Sequence, residues 1–420
     1  MARPFCVLGA KTGGGNVLIV LTGASGFVAR MLVPRLLARG HDLRLVTDRA
    51  EAITGAWPTL PRFGTDDLAT ALVGADCVVH LAARNNNRSG SLAEFRADNV
   101  EAATKARLAA QAAGVRRFIF ASSINAARAE GGAPYDQTKH EAEQALLAAD
   151  DPTLSIYRLG AVHAAGKAAG RLGRAQRLPV ALRPIALSIL MSLRPTTSID
   201  RLCDAIETGK PGFRVLTDQQ DEAVTYAFAH RAFDLLFSAV VIGGFWWLLL
   251  GIWVAVRLGS PGPGVLAQDR VGRSGRIFRC YKFRTMAEGT KVAGTHEVPE
   301  NAVTPIGRIL RRAKLDELPQ VLNLIRGDMA FVGPRPCLPV QTDLIAARQV
   351  RGVLNVRPGI TGWAQVNGID MRDPERLARV DEDWLNERCL PLDAKIILAT
   401  FLGRRALRGV RIGGPSSQDE

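Results

Sequence analysis

Two adjacent carboxylates, Asp316 and Glu317, lie in the second half of the chain among residues suited to holding phosphate groups. Lys282 and Arg284 precede them, and Arg335 follows between two prolines that restrict the local backbone. An arginine fork binds phosphate oxygens in pairs, whereas lysine supplies a point charge. A carboxylate can attack a phosphoryl group when cations offset the repulsion between the two anions. The pattern indicates phosphoryl transfer, although an Asp-Glu pair alone is more often a charged helix turn.

Two further features of this half support that chemistry. Arg357 begins the Pro- and Gly-rich stretch RPGITGWAQVNG, which fixes the backbone around another candidate phosphate-binding residue. Mg²⁺ typically binds one or two carboxylates together with substrate phosphates. Asp316 is therefore also a candidate ligand for Mg²⁺.

A second set of chemically suited residues lies in the first half. Tyr135 and Lys139 have Y-x-x-x-K spacing, which places both on one face of a helix. An ammonium beside a phenol lowers the phenol pKa, so we expect Tyr135 to be an acid or base usable near neutrality. Ser123 ends the apolar stretch FIFASS, where its hydroxyl could hydrogen-bond a substrate oxygen. The spacing alone is common by chance, and its position after the turn described next makes it specific.

A glycine-rich turn follows the apolar strand predicted at 17–21 and leads into a helical stretch. Gly23 allows the tight turn, and Gly26 lets the backbone approach a pyrophosphate at the helix N-terminus. Ser25 and Phe27 belong to the same predicted cofactor-binding turn. Strand, turn and helix in this order predict a dinucleotide site.

The second predicted strand, LRLVTD, ends in Asp48 and is followed by Arg49. A carboxylate at this place suits the ribose hydroxyls of NAD, whereas an arginine suits the 2′-phosphate of NADP. The choice between NAD and NADP therefore stays open. Strands and helices continue to alternate, which predicts an α/β fold with a Rossmann-type, doubly wound parallel sheet.

Composition and charge limit the partners. The chain has 420 residues, a net charge of +14 and six scattered cysteines with no C-x-x-C pair, which argues against a zinc site or a disulfide framework. Basic residues are not interleaved with aromatic ones, so no nucleic-acid partner is expected. Stretches 152–199 and 394–418 contain basic residues and no acid. They suit either an anionic membrane lipid surface or an ordinary solvated helix face.

Residues 235–256 form a run of 22 residues without a charge. As a helix with ~1.5 Å rise per residue it would be about 33 Å long, enough for a hydrocarbon core of ~30 Å. Buried helices of soluble proteins normally keep a polar stripe, which this run lacks. We therefore predict a membrane-inserted helix at 230–257.

The first half resembles the extended short-chain dehydrogenases/reductases, the sugar-nucleotide epimerases and reductases, over about residues 16–220. TGASGFVA, HLAAR, DNVEAATK, FIFASS, PYDQTK and SIDRLCDAI occur in the family order. The closest branch reduces UDP-4-keto-6-deoxy-hexosamines. The resemblance implies a catalytic triad of Ser123, Tyr135 and Lys139, with cofactor contacts at Gly23, Gly26 and Asp48.

The second half resembles the bacterial sugar transferases, the small monotopic phosphoglycosyl transferases, over about residues 230–412. SPGPG, YKFRTM, TPIGRILRR, LDELPQ, NLIRGDMAFVGPRP and RPGITGWAQVNG occur in the family order. The family transfers a phosphosugar from a UDP-sugar to polyprenol phosphate and releases UMP. The resemblance implies that Asp316 is the nucleophile and Glu317 its acid/base or Mg²⁺-side partner. It also implies phosphate or nucleotide binding by Arg335, Arg357, Lys282 and Arg284.

The membrane segment departs from that family. The family usually has a Ser-Pro break near the middle of its membrane helix, where this chain has Trp246-Trp247 and no nearby proline. Glycines 243, 244 and 251 are the candidate weak points. NAD(P)H and UDP-sugars are cytosolic, and both flanks of the segment are basic. We therefore predict a re-entrant segment in a bacterial inner membrane, with both halves on the cytoplasmic face.

Together these features predict two fused enzymes that initiate surface polysaccharide or glycan synthesis, a C4 reductase or epimerase and a transferase that uses its product. Two alternatives stay open: a transferase with a non-catalytic nucleotide-sensing module, or a membrane-anchored dehydrogenase with a structural C-terminal half. The sugar and the oligomeric state, including whether the chain forms a homodimer, are not identified. The predicted segments are a flexible arm at 1–15, an NAD(P)-binding domain at 16–222, the membrane helix at 230–257, a small α-rich transferase domain at 258–412 and a polar tail at 413–420.

Overall fold

The structure is a computed structural model, and it divides the chain into two units. One unit is Met1–Ala223 with Asn386–Cys389 and Gly409–Glu420, and the other is Val224–Leu385 with Leu390–Arg408. The predicted arm at 1–15 and tail at 413–420 lie outside the described residues. The described residues are 16–49, 51–128, 132–164, 167–168, 173, 175, 178–220, 223–287, 302–403 and 407.

The first unit contains the predicted parallel sheet. Seven strands pair in the order β10-β6-β5-β4-β1-β2-β3, and every pair is parallel. A small second sheet has the order β8-β7-β9. The strands of this unit are β1 (Leu18–Thr22), β2 (Asp42–Val46), β3 (Arg62–Phe63), β4 (Cys77–His80), β5 (Arg117–Ser123), β6 (Leu154–Leu159), β7 (Ala161–Ala164), β8 (Lys167–Ala168), β9 (Thr196–Ser198) and β10 (Gly212–Leu216).

Helices cover both faces of the large sheet. Successive residues of a strand point to opposite faces, and Ile19 and Val20 accordingly belong to different core clusters. Burial on both faces explains why the central strands read as continuous apolar runs. The helices are α1 (Phe27–Ala38), α2 (Glu51–Thr54), α3 (Leu68–Leu72), α4 (Leu92–Arg96), α5 (Ala102–Ala112), α6 (Pro134–Leu147), α7 (Arg183–Ser192) and α8 (Ile199–Thr208), with a π-helical turn at Ala97–Glu101 and 3₁₀ turns at Ile124–Arg128 and Val180–Leu182.

The apolar segment of the second unit is broken into two helices, and the break lies at one of the predicted weak points, Gly243-Gly244. Helix α9 (Val224–Ala239) continues through a π-helical turn at Val240–Gly244, and Phe245 then leaves helical geometry with φ −119° and ψ 20°. Helix α10 (Trp246–Gly259) follows. The break directly follows two glycines, residues that weaken a helix.

Within the described residues, Val224–Gly244 is the one helix long and apolar enough to cross a membrane. Several large apolar side chains near the break face outward, including Leu236, Trp246 and Trp247. Gly251, a third predicted weak point, lies inside α10 without an interruption. The first helix of the segment starts at Val224, before the predicted start at 230.

The rest of the second unit is mostly helical. An antiparallel hairpin of β11 (Val265–Val271) and β12 (Ile277–Phe283) and a parallel pair of β13 (Ala330–Val332) and β14 (Gly359–Thr361) supply its strands. The helices are α11 (Pro305–Arg312), α12 (Val321–Arg326), α13 (Thr342–Val350), α14 (Trp363–Val366), α15 (Pro374–Glu387) and α16 (Leu390–Leu402), with 3₁₀ turns at Arg273–Gly275, Leu315–Gln320 and Val353–Asn355.

Candidate active sites

The adjacent carboxylates of the second unit lie in the 3₁₀ turn Leu315–Gln320. Lys314, immediately before it, has φ 55°, so the chain turns sharply after α11. Leu315 and Leu318 pack against a core cluster that includes Phe283 and Leu310. The apolar residues of the L-D-E-L sequence therefore anchor the turn, while Asp316 and Glu317 line a cavity.

Glu317 is held by two cations. Lys282 Nζ and Arg335 Nη2 both donate to its Oε1, at 2.8 and 2.9 Å. Burial alone would raise the pKa of Glu317, but the charges of Arg335 and Lys282 lower it to about 2. A carboxylate with so low a pKa is a poor general acid or base near neutrality. The geometry therefore does not favour the acid/base role implied for Glu317, and its role beside Mg²⁺ stays a prediction.

Asp316 has the opposite electrostatic environment. Burial and the negative charge of Glu317 raise its pKa, while Lys282 and Arg311 oppose that rise. Neighbouring carboxylates whose pKa values move apart have different tasks in many active sites. Glu317 is held by its ion pairs with Lys282 and Arg335, so Asp316 is the candidate for nucleophilic attack.

The cavity around these carboxylates is about 1540 Å³ and combines cationic and apolar walls. Phe237, Phe331 and Phe401 line it, and the ring of Phe331 contacts that of Phe237 at 4.6 Å between centroids. The cavity is large enough for a nucleotide-sized ligand. Its basic lining residues are Arg270, Arg279, Lys282, Arg284, Arg311, Arg312, Lys314 and Arg335.

Two predicted phosphate ligands are engaged in structural contacts. Arg284 is buried and donates to the backbone carbonyls of Ser260 and Pro261 and, at 3.3 Å, of Val256. Arg357 donates to Asp234 Oδ2 at 3.2 Å. Phosphate binding by Arg284 and Arg357 stays a prediction, one that these contacts do not favour.

Sequence reasoning did not single out Arg270, Arg311 or Arg312, which the structure places on the cavity wall. Arg311 also donates from Nε to Thr285 Oγ1 at 3.0 Å. The available signal was the stretch TPIGRILRR, where helix α11 ends in two arginines directly before the carboxylates.

Few carboxylates near the cavity could bind a magnesium ion. Among the residues the structure describes, no group of three His, Cys, Asp or Glu side chains could hold a metal. Glu317 Oε1 already accepts hydrogen bonds from Lys282 and Arg335, so Asp316 is the carboxylate better placed to bind a magnesium ion. Such a site fits Mg²⁺ if substrate phosphates and water supply most of its ligands.

The glycine-rich turn of the first unit joins β1 to α1 as predicted. Gly23 has φ +68°, and a Cβ there would lie 2.6 Å from the backbone nitrogen of Ala82, so the position requires glycine. Gly26 N donates to Gly23 O at 2.9 Å and precedes the helix. Ser25 Oγ accepts from Thr47, and Phe27, the first helical residue, is 39% exposed.

Asp48 and Arg49 lie just beyond β2, which ends at Val46. Their side chains are 3.7 Å apart, and each is more than half exposed. Both side chains are therefore accessible to an adenosine ribose or its 2′-phosphate. Residues for either cofactor are therefore exposed at this position, a carboxylate suited to NAD and an arginine suited to NADP.

Ser123, Tyr135 and Lys139 are brought together by the end of β5 and the start of α6. The Lys139 ammonium lies 5.9 Å from the Tyr135 ring centroid and donates to the carbonyl of Ala121 at 2.8 Å. Burial, with the charge of Asp136, raises the pKa of Tyr135 to about 12, although a hydrogen bond with Ser123 opposes this. The expectation of a lowered tyrosine pKa is therefore wrong for this structure, because burial of the phenol raises its pKa.

Burial also lowers the pKa of Lys139 to about 8, against the charge of Glu143. Glu143 itself is fully buried and pairs with Arg158, with Nη2 to Oε2 at 2.6 Å. Ser122 donates to the same carboxylate. This pair fixes one face of α6 against the sheet below the Tyr135–Lys139 turn.

Known proteins match both halves of the chain. The family model described as "Bacterial sugar transferase" matches residues 225–404. Exopolysaccharide production protein ExoY of Rhizobium meliloti is 37% identical over 192 residues, covering 41% of this chain and 84% of that protein. The UDP-glucose:undecaprenyl-phosphate glucose-1-phosphate transferase of Caulobacter vibrioides is 40% identical over 183 residues, 40% of this chain and 67% of that protein.

The chain belongs to the bacterial sugar transferase family. A longer relative is the UDP-N-acetylgalactosamine-undecaprenyl-phosphate N-acetylgalactosaminephosphotransferase of Aeromonas hydrophila, 36% identical over 185 residues. That alignment covers 42% of this chain and 43% of the relative. This bacterial sugar transferase thus spans less than half of the length of that relative.

The first half of this bacterial sugar transferase matches a family model described as "NAD(P)H-binding" over residues 23–154. Together with the parallel sheet and the glycine-rich turn, this match makes the first unit an NAD(P)-binding domain with a Rossmann-type sheet. A solved short-chain dehydrogenase/reductase superfamily protein from Agrobacterium tumefaciens with bound NAD aligns with 48% of this chain and 77% of its own, at 21% identity and a TM-score of 0.37.

Proposed function

We propose that this protein transfers a phosphosugar from a UDP-sugar to undecaprenyl phosphate, releases UMP and so initiates the synthesis of a surface polysaccharide. The observation that carries the proposal is the placement of Asp316 beside an ion-paired Glu317 in a cation-lined cavity. The activities named for the Aeromonas and Caulobacter relatives support the same substrate classes.

In the first step, a carboxylate oxygen of Asp316 attacks the phosphorus that carries the sugar. A P–O bond to the attacking oxygen forms, and the bond from that phosphorus to the bridging oxygen breaks. The electron pair leaves with UMP, and an acyl phosphate joins the sugar to Asp316. Arg335, Arg311 and Lys282 are the cations placed to offset the charge that gathers on the leaving phosphate.

In the second step, a phosphate oxygen of undecaprenyl phosphate attacks the same phosphorus. The acyl phosphate bond breaks, the Asp316 carboxylate is regenerated, and a diphosphate links the sugar to the lipid. The apolar wall formed by Phe237, Phe331 and Phe401 suits the first isoprene units of such an acceptor. Bound Mg²⁺ would supply positive charge to the phosphates, with Asp316 as the predicted protein ligand.

The membrane segment supports placement at a bilayer. The break at Phe245 divides it into two helices, which suits a segment that enters and leaves by one face. Because NAD(P)H and UDP-sugars are cytosolic, both domains would lie on the cytoplasmic face of a bacterial inner membrane.

For the first unit we propose a UDP-sugar C4 reductase or epimerase that makes the donor of the transferase. The juxtaposition of Ser123, Tyr135 and Lys139 with the cofactor turn supports it. A pKa of about 12 keeps Tyr135 protonated near neutrality, which suits donation of a proton to a keto oxygen during reduction. The alternative is a non-catalytic nucleotide-sensing module.

The transferase proposal is tested by incubating membranes with a panel of UDP-sugars and undecaprenyl phosphate while UMP is measured. Asp316→Asn should reduce UMP release by about a thousandfold or more, because the nucleophile is lost. Asp343→Asn, at an exposed helix start, is the matched control and should leave the rate unchanged. A labelled sugar phosphate should be trapped on the chain with native Asp316. Equal activity of the two variants would contradict the mechanism.

The reductase proposal is tested separately with Tyr135→Phe. Loss of NAD(P)H oxidation with the transferase rate retained supports two enzymes in one chain. Absence of any sugar-dependent NAD(P)H oxidation or C4 epimerisation by the native chain favours the sensor.

A further inference from the structure

An apolar surface of the NAD(P)-binding domain faces outward on a short helical stretch. The 3₁₀ turn Val180–Leu182 leads into helix α7, and residues 178–190 are all exposed or half-buried. We call this stretch, extended to Arg194, the 178–194 surface. Its exposed large apolar residues are Leu178, Val180, Leu182, Ile185, Ile189 and Leu193.

The polarity of α7 is inverted relative to a helix that faces water. Leu182, Ile185, Ile189 and Leu193 follow one another at intervals of three and four residues, so they share one helix face. That face is exposed, with Ile185 at 60%. The fully buried residue of the helix is instead Ser192, which donates its hydroxyl proton to the Ser188 carbonyl at 2.7 Å.

Helix α8 of the same domain provides the comparison. It buries Leu202, Cys203 and Ile206 against the core and exposes Asp200 and Asp204, as a water-facing helix does. The inverted pattern is therefore a property of the 178–194 surface and not of the helices of this domain in general.

Charge identifies what would cover this surface. Residues 152–199 contain seven Lys or Arg and no Asp or Glu. Arg158 is buried in its pair with Glu143, whereas Arg183 and Arg194 are exposed at the two ends of α7. An apolar face with basic residues at its ends is the pattern of a helix that lies in the headgroup region of an anionic bilayer. A second copy of the chain would bring the same positive charge, so self-association here is disfavoured.

We propose that the 178–194 surface is a lipid-binding site through which the NAD(P)-binding domain contacts an anionic membrane. The apolar side chains enter the headgroup boundary, and Arg183 and Arg194 remain with the lipid phosphates. This inference rests on the proposed function only in that the chain acts at a membrane, and it does not require residues 224–259 to be inserted. It adds a second membrane contact, separate from residues 224–259.

The test uses the full chain with Cys6 replaced by serine, since the cysteines that the structure describes are buried. One cysteine at a time is introduced at Ile185, Val73 or Leu250 and labelled with an environment-sensitive fluorophore. Val73 is an exposed control in the same domain, and Leu250 is an exposed residue of α10. The protein is placed in nanodiscs of phosphatidylcholine, with or without phosphatidylglycerol, and quenching by spin-labelled lipid is measured.

A blue shift and lipid quenching at position 185, but not at 73, are expected in discs containing phosphatidylglycerol. Replacing Arg183 by Gln should weaken the docked state about fivefold. Quenching at position 250 with none at position 185 overturns this inference but still supports insertion of the proposed membrane segment. Quenching at 185 without quenching at 250 supports the inference and contradicts that segment. A fluorescence shift at position 185 that appears without lipid, on addition of UDP-sugar or at higher protein concentration, also overturns the inference.

Discussion

In the transferase cavity, Arg335 Nη2 donates to Glu317 Oε1 at 2.9 Å, so the arginine expected to bind phosphate is already paired with a carboxylate. Lys282 donates to the same oxygen. Glu317 thereby holds two cations at one wall of the cavity next to Asp316. Glu317 therefore fixes the positions of the two cations that we propose bind phosphate, beside the proposed nucleophile Asp316.

Glu317→Gln tests this relationship through stability as a function of pH. The pKa of Glu317 is lowered to about 2, so its ionised form stabilises the fold above its ordinary pKa, and that contribution is lost as the pH falls toward 2. A lowering of this size corresponds to about 3 kcal/mol at neutral pH. The difference in unfolding free energy between the native chain and Glu317→Gln should be largest above about pH 5 and shrink below it. A difference that does not change with pH would contradict the ion pair.

Arg284 should behave as a structural residue. Its guanidinium is buried and bonded to backbone carbonyls near the end of α10, so Arg284→Gln leaves those acceptors unsatisfied. The expected loss is about 1–3 kcal/mol in the free energy of unfolding. Arg312→Gln, at an exposed lining residue, is the matched comparison and should raise the KM for the UDP-sugar without loss of stability. If Arg284→Gln instead raises the KM alone, the phosphate-binding prediction for Arg284 regains support.

The titration of Lys139 predicts the pH dependence of the first domain. Burial lowers its pKa to about 8, so the ammonium near Tyr135 is present below that pH and lost above it. The positive charge favours transfer of the Tyr135 proton to substrate, so kcat/KM for NAD(P)H-dependent reduction should fall as the pH rises through 8. The decline is measured with the native chain across that range. A profile that stays flat through pH 8 would contradict a role for the Lys139 charge.

Much of the fold was predictable because its signals are local. The strand, glycine turn and helix around Gly23 and the apolar strands before Ser123 were confirmed, since parallel strands buried on both faces read as continuous apolar runs. The sequence did not predict which glycines mark the break, because Gly243, Gly244 and Gly251 all weaken a helix locally. In the structure the break follows Gly243-Gly244, whereas Gly251 lies within helix α10.

The partners of the site residues were less predictable. Lys139 and Arg284 were expected to act on a phenol and on phosphate, yet each donates to a backbone carbonyl. Which acceptor a buried cation reaches depends on tertiary packing, and neither spacing nor composition encodes it. The pKa of Tyr135 also depends on tertiary packing, because burial of the phenol is the main cause of its rise.

The broken apolar segment predicts the accessibility of its two ends. Phe228 in α9 and Leu258 in α10 are both exposed, at 72% and 83%, and lie on opposite sides of Phe245 along the chain. With Cys6 replaced by serine, Phe228→Cys and Leu258→Cys should both resist a membrane-impermeant thiol reagent added to intact cells. Both should react once the membrane is opened. Labelling of one position from outside would show that the segment spans the membrane and places its ends on opposite faces.

Asp393 should hold helix α9 to the C-terminal helices. Its carboxylate is buried and accepts from Tyr226 at 2.6 Å and Trp384 at 3.0 Å, and His230 Nε2 lies 2.9 Å away. These partners come from α9 and α15, while Asp393 belongs to α16. Asp393→Asn replaces one carboxylate oxygen by an NH₂ group, leaves a buried donor without an acceptor and should lower the free energy of unfolding by about 1–3 kcal/mol. Thermal unfolding in detergent should show this loss, whereas Asp343→Asn should show none. Equal stability of the two variants would mean that the packing of these helices does not depend on the carboxylate charge.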